Sequence, residues 1–264
     1  MTLVGWIGRI VAGASRQSGF PLSVTIRGSG PASGIRMGLE GATRRHFSGL
    51  YEPSVQECIA ERLRPGGCFI DVGANIGFFS MLAAKLARPD GQVIAVEPVP
   101  ANADLIKANA ALNRFGNVTV VRAAAGASNR TGDLILARHH GGAALDSAPT
   151  PPDARGRLSV PVVTLDGLVS HLGLPPPTMV KIDVEGAELE VLAGMPGTLW
   201  RHHPDILFEV DAPGMAEAEA RYAKISEALA HYGYKVRRLE PAYPPGDWAV
   251  LHGIGSTGET GAGP

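Results

Sequence analysis

Cysteine is almost missing from this 264-residue chain: only Cys58 and Cys68 occur, both inside apolar segments. A disulfide-stapled scaffold is therefore not expected, and the two thiols read as packing residues in a reducing cytoplasm. Charge of one sign is missing as well. Lys and Arg number 24 against 25 Asp and Glu, a formal net charge of −1, so no long-range field gathers a polyanion and a nucleic-acid partner is not expected. Charged residues make up only 19% against 45% hydrophobic, which argues against a disordered chain. Long hydrophobic runs are lacking too. Residues 3–12 are apolar but interrupted by Arg9, too short to span a bilayer, and without the charge-first order of a signal peptide. Their face of Leu3, Trp6, Ile7, Ile10 and Val11 is expected to pack on the domain, with contact to a membrane surface as the alternative.

What the chain does have is punctuation, with 34 glycines and 21 prolines. Residues 22–27 and 34–39 predict a small hairpin capping one edge of the main sheet. Val55, Cys58, Ile59 and Leu63 recur with helical spacing until Pro65-Gly66-Gly67 ends them. Apolar runs at 68–72, 92–96, 118–123, 179–182 and 206–210 have the length of strands covered on both faces, and helical patterns at 78–87, 101–113 and 187–195 stand between several of them. Strand alternating with helix implies parallel strands with right-handed crossovers, hence an α/β, doubly wound fold. Further strands at 134–136 and 160–163 flank an irregular stretch at 139–157, and a helix over 217–232 precedes strands at 234–238 and 248–252.

The segment richest in chemistry is Asp71-Val72-Gly73-Ala74-Asn75-Ile76-Gly77, where a buried strand hands over to a helix near Phe78. In an open α/β sheet that turn lies at the carboxyl end of a strand, where ligands bind. Gly73 and Gly77 permit a sharp turn and a close approach to a ligand. Asp71 can accept from an ammonium, and Asn75 offers a donor and an acceptor. A second acid, Glu97, ends the next strand 20 residues beyond Gly77, placed to accept two ribose hydroxyls. A dinucleotide site is the rival reading. The loop at 73–77 reads G-x-x-x-G rather than G-x-G-x-x-G, however, and a pyrophosphate is repelled by a carboxylate such as Asp71.

Together with Phe69-Ile70 before it, this segment resembles the FkbM family of S-adenosylmethionine-dependent O-methyltransferases, as do Val96-Glu97-Pro98 and Val180-Lys181-Ile182-Asp183-Val184-Glu185-Gly186-Ala187-Glu188. Tyr51-Glu52-Pro53 and Val163-Thr164-Leu165-Asp166 add smaller similarities. The resemblance implies a Rossmann-like class I methyltransferase domain over residues 51–254, with a mostly parallel seven-stranded sheet and an antiparallel last strand. Residues 1–50 would form an extension and hairpin packed on it, and 255–264 a disordered tail. It further implies that Asp71, Gly73, Ala74, Asn75 and Gly77 hold the methionine half of S-adenosyl-L-methionine, and that Glu97 with Pro98 meets the ribose. Asn102 would add a nucleoside-side contact, Ala124 and Ala125 would line the adenine, and Glu52 beside Tyr51 would close the pocket. The acceptor implied is a small-molecule or glycan hydroxyl, on a sugar, polyketide or related natural product.

Methyl transfer from a sulfonium is an in-line displacement, and a hydroxyl acceptor must also lose its proton. Asp183 and Glu185 follow the fourth strand, at the same sheet edge as the glycine loop, and are the candidate catalytic residues. Lys181 shares a strand face with Asp183, so a structural ion pair is the alternative there, and capping of the next helix is the alternative for Glu185. Glu188 and Glu190 are expected on a solvated helix face. No metal is expected; Asp183, Glu185 and Glu209 are the acids that would surround a divalent cation if one were used. His139, His140, His202 and His203 are further candidate bases. Competing functions are a nicotinamide-dependent oxidoreductase, a non-catalytic cofactor-binding partner, and N- or RNA methylation on the same fold.

Overall fold

The computed structural model describes residues 22–137, 143–146, 148, 154–243 and 248–258. The chain opens with the antiparallel pair β1 (Ser23–Thr25) and β2 (Arg36–Gly38), followed by α1 (Arg44–Ser48) and α2 (Pro53–Arg62). Then β3 (Cys68–Val72), α3 (Phe78–Leu86), β4 (Gln92–Val96), α4 (Pro100–Asn113) and β5 (Val118–Val121) alternate. A second unit of strands comprises β6 (Ala124–Ala125), β7 (Arg130–Ala137), β8 (Ala143–Leu145) and β9 (Ala154–Val163). The remaining elements are α5 (Leu165–His171), β10 (Met179–Ile182), α6 (Glu188–Ala193), α7 (Pro196–His202), β11 (Asp205–Pro213), α8 (Met215–Ala230), β12 (Lys235–Arg238) and β13 (Trp248–Ser256). Among these described elements, no helix is long and apolar enough to cross a membrane.

Seven strands form the main sheet in the order β12-β13-β11-β10-β3-β4-β5, with only β13 antiparallel to its neighbours. The α/β sheet expected from the alternation is therefore present, including its reversed last strand. Apolar runs arise because both faces are covered: Phe69 packs with Met81 and Leu82 on one side, while Ile70 and Val72 pack with Val180, Ile182 and Phe208 on the other. From β3 the chain winds outward through β4 and β5, then returns to lay β10 and β11 on the opposite flank. The order thus reverses between β3 and β10, and a crevice opens beyond their carboxyl ends.

The N-terminal hairpin sits on a helix rather than on a sheet edge, contrary to the sequence expectation. Asn109 and Asn113 of α4 take the place of a strand partner: their Oδ1 atoms accept the amides of Gly38 and Arg36, each at 2.8 Å. Asn109 also donates to the Ile76 carbonyl at 2.9 Å, tying hairpin and glycine bend to one helix. At the other end of the chain, Gly255 and Ser256, expected in the tail, pair with Ile206 and Lys235 in the sheet. Residues 1–21 and 259–264 lie outside the described set, as does most of the irregular stretch. Its last residues, 154–157, are strand, paired with β7.

The helix expected over 187–195 stops short and a second helix, α7, starts at Pro196, a residue suited to the first helical position. Its unpaired first-turn amides are met by a residue distant in sequence. Asp166 at the start of α5 accepts from Gly197 N at 2.7 Å and from both the amide and the hydroxyl of Thr198 at 2.6 Å. Asp166→Ala orphans these buried donors, and the expected result is a loss of about 1–3 kcal/mol of stability. Urea denaturation measures it; an unmoved midpoint would show that the bridge contributes nothing.

Candidate active site

A cavity of about 310 Å³ opens at the crevice, within the range of ligand pockets. Its β4 side is organised by Glu97, whose carboxylate points at the glycine bend: Oε2 accepts the Asn75 amide at 2.8 Å, and Oε1 accepts the Val99 amide at 2.9 Å. Asn102 Nδ2 stands 3.4 Å from the same Oε1. Burial pushes the Glu97 carboxyl up to about 7, against these donors, which favour the ionised form. Ala74, Asn75, Pro98, Asn102, Ala124 and Ala125 all line the cavity. Leu134 and Leu145 of the second sheet join Val184 and Ala187 as an apolar wall, which suits the face of a base and which the sequence reading did not anticipate.

Of the bend residues expected against the cofactor, Asp71 and Gly77 stand off the cavity wall, and Gly73 lines it while also packing on protein. Asp71 is 1% exposed and absent from the cavity wall. It shares a strand face with Phe69, so it points into the layer beneath, where Ser80 Oγ donates to it at 2.6 Å and the Lys181 ammonium lies 4.0 Å away. Burial raises its pKa, with Lys181 opposing. Gly73 lines the cavity, but a Cβ there would lie 1.7 Å from the Asp183 carbonyl oxygen. Gly77 is off the wall and N-caps α3 at φ +83°, where a Cβ would meet Ile106 at 3.0 Å. Protein, not ligand, crowds both glycines.

The opposite side is acidic. Asp183, Glu185, Glu209 and Asp211 line it beside Glu52 and Lys181. Lys181 Nζ donates to Asp183 Oδ2 at 2.7 Å and stands 5.0 Å from the Phe79 ring centroid, so the shared face anticipated from the strand pattern does bring the pair together. Burial lowers the Lys181 pKa, but Asp183, Asp71, Glu209 and Glu52 raise it more, and the ammonium stays charged. Burial, then Asp211, Asp183 and Glu188, pushes Glu185 up to about 8. Asp211 is pushed up to about 6 by burial and Asp183. Glu185 does not cap the following helix, whose N-cap, Ala187, has no side-chain partner; Glu188 Oε1 accepts the Gly186 amide just ahead of it at 2.8 Å, and Glu188 is 4% exposed, not solvated. Glu185, at φ +55°, is turned into the cavity instead. Glu52 and Asn75 are also left-handed, at +44° and +51°. Three strained non-glycine residues around one cavity mark a functional crevice.

His252 escaped the sequence reading. It sits opposite Glu209 in the β11–β13 pairing, and its Nε2 lies 2.5 Å from Glu209 Oε2 and 3.4 Å from Glu52 Oε2. Burial lowers its pKa, but its hydrogen bond to Glu209 and the Glu52 carboxylate close by carry it up to about 10. Tyr243 donates to Glu52 Oε1 at 2.9 Å. His46, also unforeseen, lines the cavity stacked on Tyr51 at 4.0 Å, and burial pushes it down to about 4. His202 and His203 end α7 ahead of β11, at the strand edge away from the cavity, and His139 and His140 lie outside the described residues.

This sheet order and crevice define a class I methyltransferase fold. The chain belongs to the FkbM methyltransferase family: the family model for the methyltransferase FkbM domain matches residues 71–236. It is 33% identical over 200 residues to 31-O-demethyl-FK506 methyltransferase FkbM of Streptomyces tacrolimicus, covering 66% of this chain and 75% of that one. Hexuronic acid methyltransferase AglP of Haloferax volcanii is 30% identical over 156 residues, 56% of this chain and 58% of its own. The crystal structure of methyltransferase FkbM from Methylobacillus flagellatus KT aligns with a TM-score of 0.50 at 17% identity, over 81% of this chain and 55% of that chain. The present chain thus spans about half the length of that solved protein.

Proposed function

We propose that the cavity binds S-adenosyl-L-methionine and transfers its methyl group to a hydroxyl of a sugar, polyketide or related small molecule. The observation that carries this reading is the Glu97 carboxylate fixed against the Asn75 amide, with lone pairs left for ribose hydroxyls at the end of β4. The methionine half lies along Gly73, Ala74 and Asn75, and the base against Ala124 and Ala125. Asp71 acts from beneath, holding Lys181. In the reaction the acceptor oxygen bonds to the methyl carbon as the carbon–sulfur bond breaks. The electron pair stays on sulfur, giving S-adenosylhomocysteine, and the hydroxyl proton passes to Asp183 or Glu185. Relatives named for 31-O-demethyl-FK506 and for a hexuronic acid support an oxygen-rich acceptor.

Calorimetry with S-adenosylhomocysteine tests the reading. Ribose hydroxyls bind the ionised carboxylate best, and Glu97 holds its proton up to about 7. Affinity should therefore rise with pH, by up to about tenfold per unit below that value, and level off above it. Glu97→Gln should weaken binding by about 10- to 100-fold and flatten the rise. Uptake of NAD in place of S-adenosylhomocysteine would establish the oxidoreductase alternative, and uptake of neither would remove the nucleoside pocket altogether.

A further inference from the structure

Glu52, Glu209 and His252 come from three separated stretches of chain, yet each offers a ligand atom within 4.8 Å of the other two. We propose that they form a divalent transition-metal site on the acid-lined side of the cavity, with Asp211 as a flanking carboxylate. The site stands on its own geometry; its part in catalysis rests on the methyl-transfer reading.

Glu52 supplies the independent observation. Its side chain is 2% exposed, and Oε2 has no hydrogen-bond partner although it faces the imidazole at 3.4 Å. A buried carboxylate oxygen left without a hydrogen bond is costly, and a metal ion bonded to it directly would satisfy it more closely than the imidazole at 3.4 Å. The nearby ammonium cannot serve, because Lys181 is committed to Asp183 at 2.7 Å. The carboxylate is also held in place. Tyr243 fixes its other oxygen at 2.9 Å, as outer partners of metal ligands do, and the backbone at Glu52 takes a left-handed φ of +44°. Asp211 Oδ1, two residues along β11 from Glu209 and on the same face, is a second buried oxygen without a partner.

Once the imidazole gives up its proton to the metal, it and two carboxylates carry a net charge that a dication balances, and the nitrogen ligand favours a transition ion over magnesium or calcium. With bonds of about 2.0–2.2 Å to one ion, His252 and Glu209 would part slightly, their mutual hydrogen bond replaced by two metal bonds. An ion so placed, beside Asp183, would polarise an acceptor hydroxyl and make its proton easier to remove.

The test uses the full chain, stripped with a chelator and titrated with Mn²⁺ and with Zn²⁺ by calorimetry, with electron paramagnetic resonance following Mn²⁺. The expected result is a single saturable uptake, weakened at least about tenfold by His252→Ala and by the isosteric Glu209→Gln. Circular dichroism and S-adenosylhomocysteine affinity, run on the same samples, show whether each variant is folded. Wild-type protein that takes up neither ion, or a folded His252→Ala that takes them up equally well, overturns the site. Uptake of S-adenosylhomocysteine without metal sinks this inference alone, whereas metal uptake without S-adenosylhomocysteine sinks the methyl-transfer reading instead.

Discussion

Gly73→Ala should destabilise the fold by about 3–5 kcal/mol, enough to leave much of the chain unfolded. Two costs add. The residue sits at φ +78°, a left-handed conformation that costs an alanine about 1–2 kcal/mol. The new Cβ would also lie 1.7 Å from the Asp183 carbonyl oxygen and 2.8 Å from its carbon, and these are backbone atoms that cannot swing aside. Relief requires β3 and β10 to part at the point where both deliver residues to the cavity. Gly77→Ala shares the conformational cost but meets only the Ile106 side chain, at 3.0 Å, so its loss should be smaller. Denaturant unfolding of both variants without any ligand measures the difference. A Gly73→Ala protein with the wild-type midpoint would mean the glycine serves a ligand and not the junction of two strands.

The frame of this site was legible because its strands are sealed on both faces. Cys68–Val72, Gln92–Val96 and Met179–Ile182 are bounded where the apolar runs end, and every residue of the first is buried. Glu97 follows from that, since an acid one residue past a central strand has to emerge at the crevice. What the pattern could not carry was direction at bends and register between distant strands. Glu188, expected on a solvated helix face, is instead buried with its carboxylate on the Gly186 amide, while a left-handed φ at Glu185 turns that acid into the cavity. His252 gained its partners through the antiparallel pairing that sets it against Glu209, and no local spacing encodes that. The second sheet was half seen for a different reason: β9 exposes most of its residues over 154–159, so its sequence lacks an apolar face until Val160.

Asp183→Asn should lower kcat by about a hundred- to ten-thousand-fold while S-adenosylhomocysteine affinity changes little. The expectation follows from how the carboxylate is held. One oxygen takes the Lys181 ammonium at 2.7 Å, and that ammonium is itself fixed by burial, by Asp71 and by the Phe79 ring. Asp183 lines the cavity, and on the methyl-transfer proposal its other oxygen would take the proton as the methyl carbon is attacked. Asparagine keeps an oxygen for Lys181, so the geometry survives better than with alanine, but its amide has no basic oxygen to receive the proton. Glu185 supplies the contrast. Burial beside Asp211 and Asp183 holds its proton up to about 8, so as a base it would give activity that climbs through that pH. If Glu185→Gln abolishes turnover together with that climb, and Asp183→Asn retains near wild-type kcat, the base is Glu185 and the Lys181–Asp183 pair only shapes the wall.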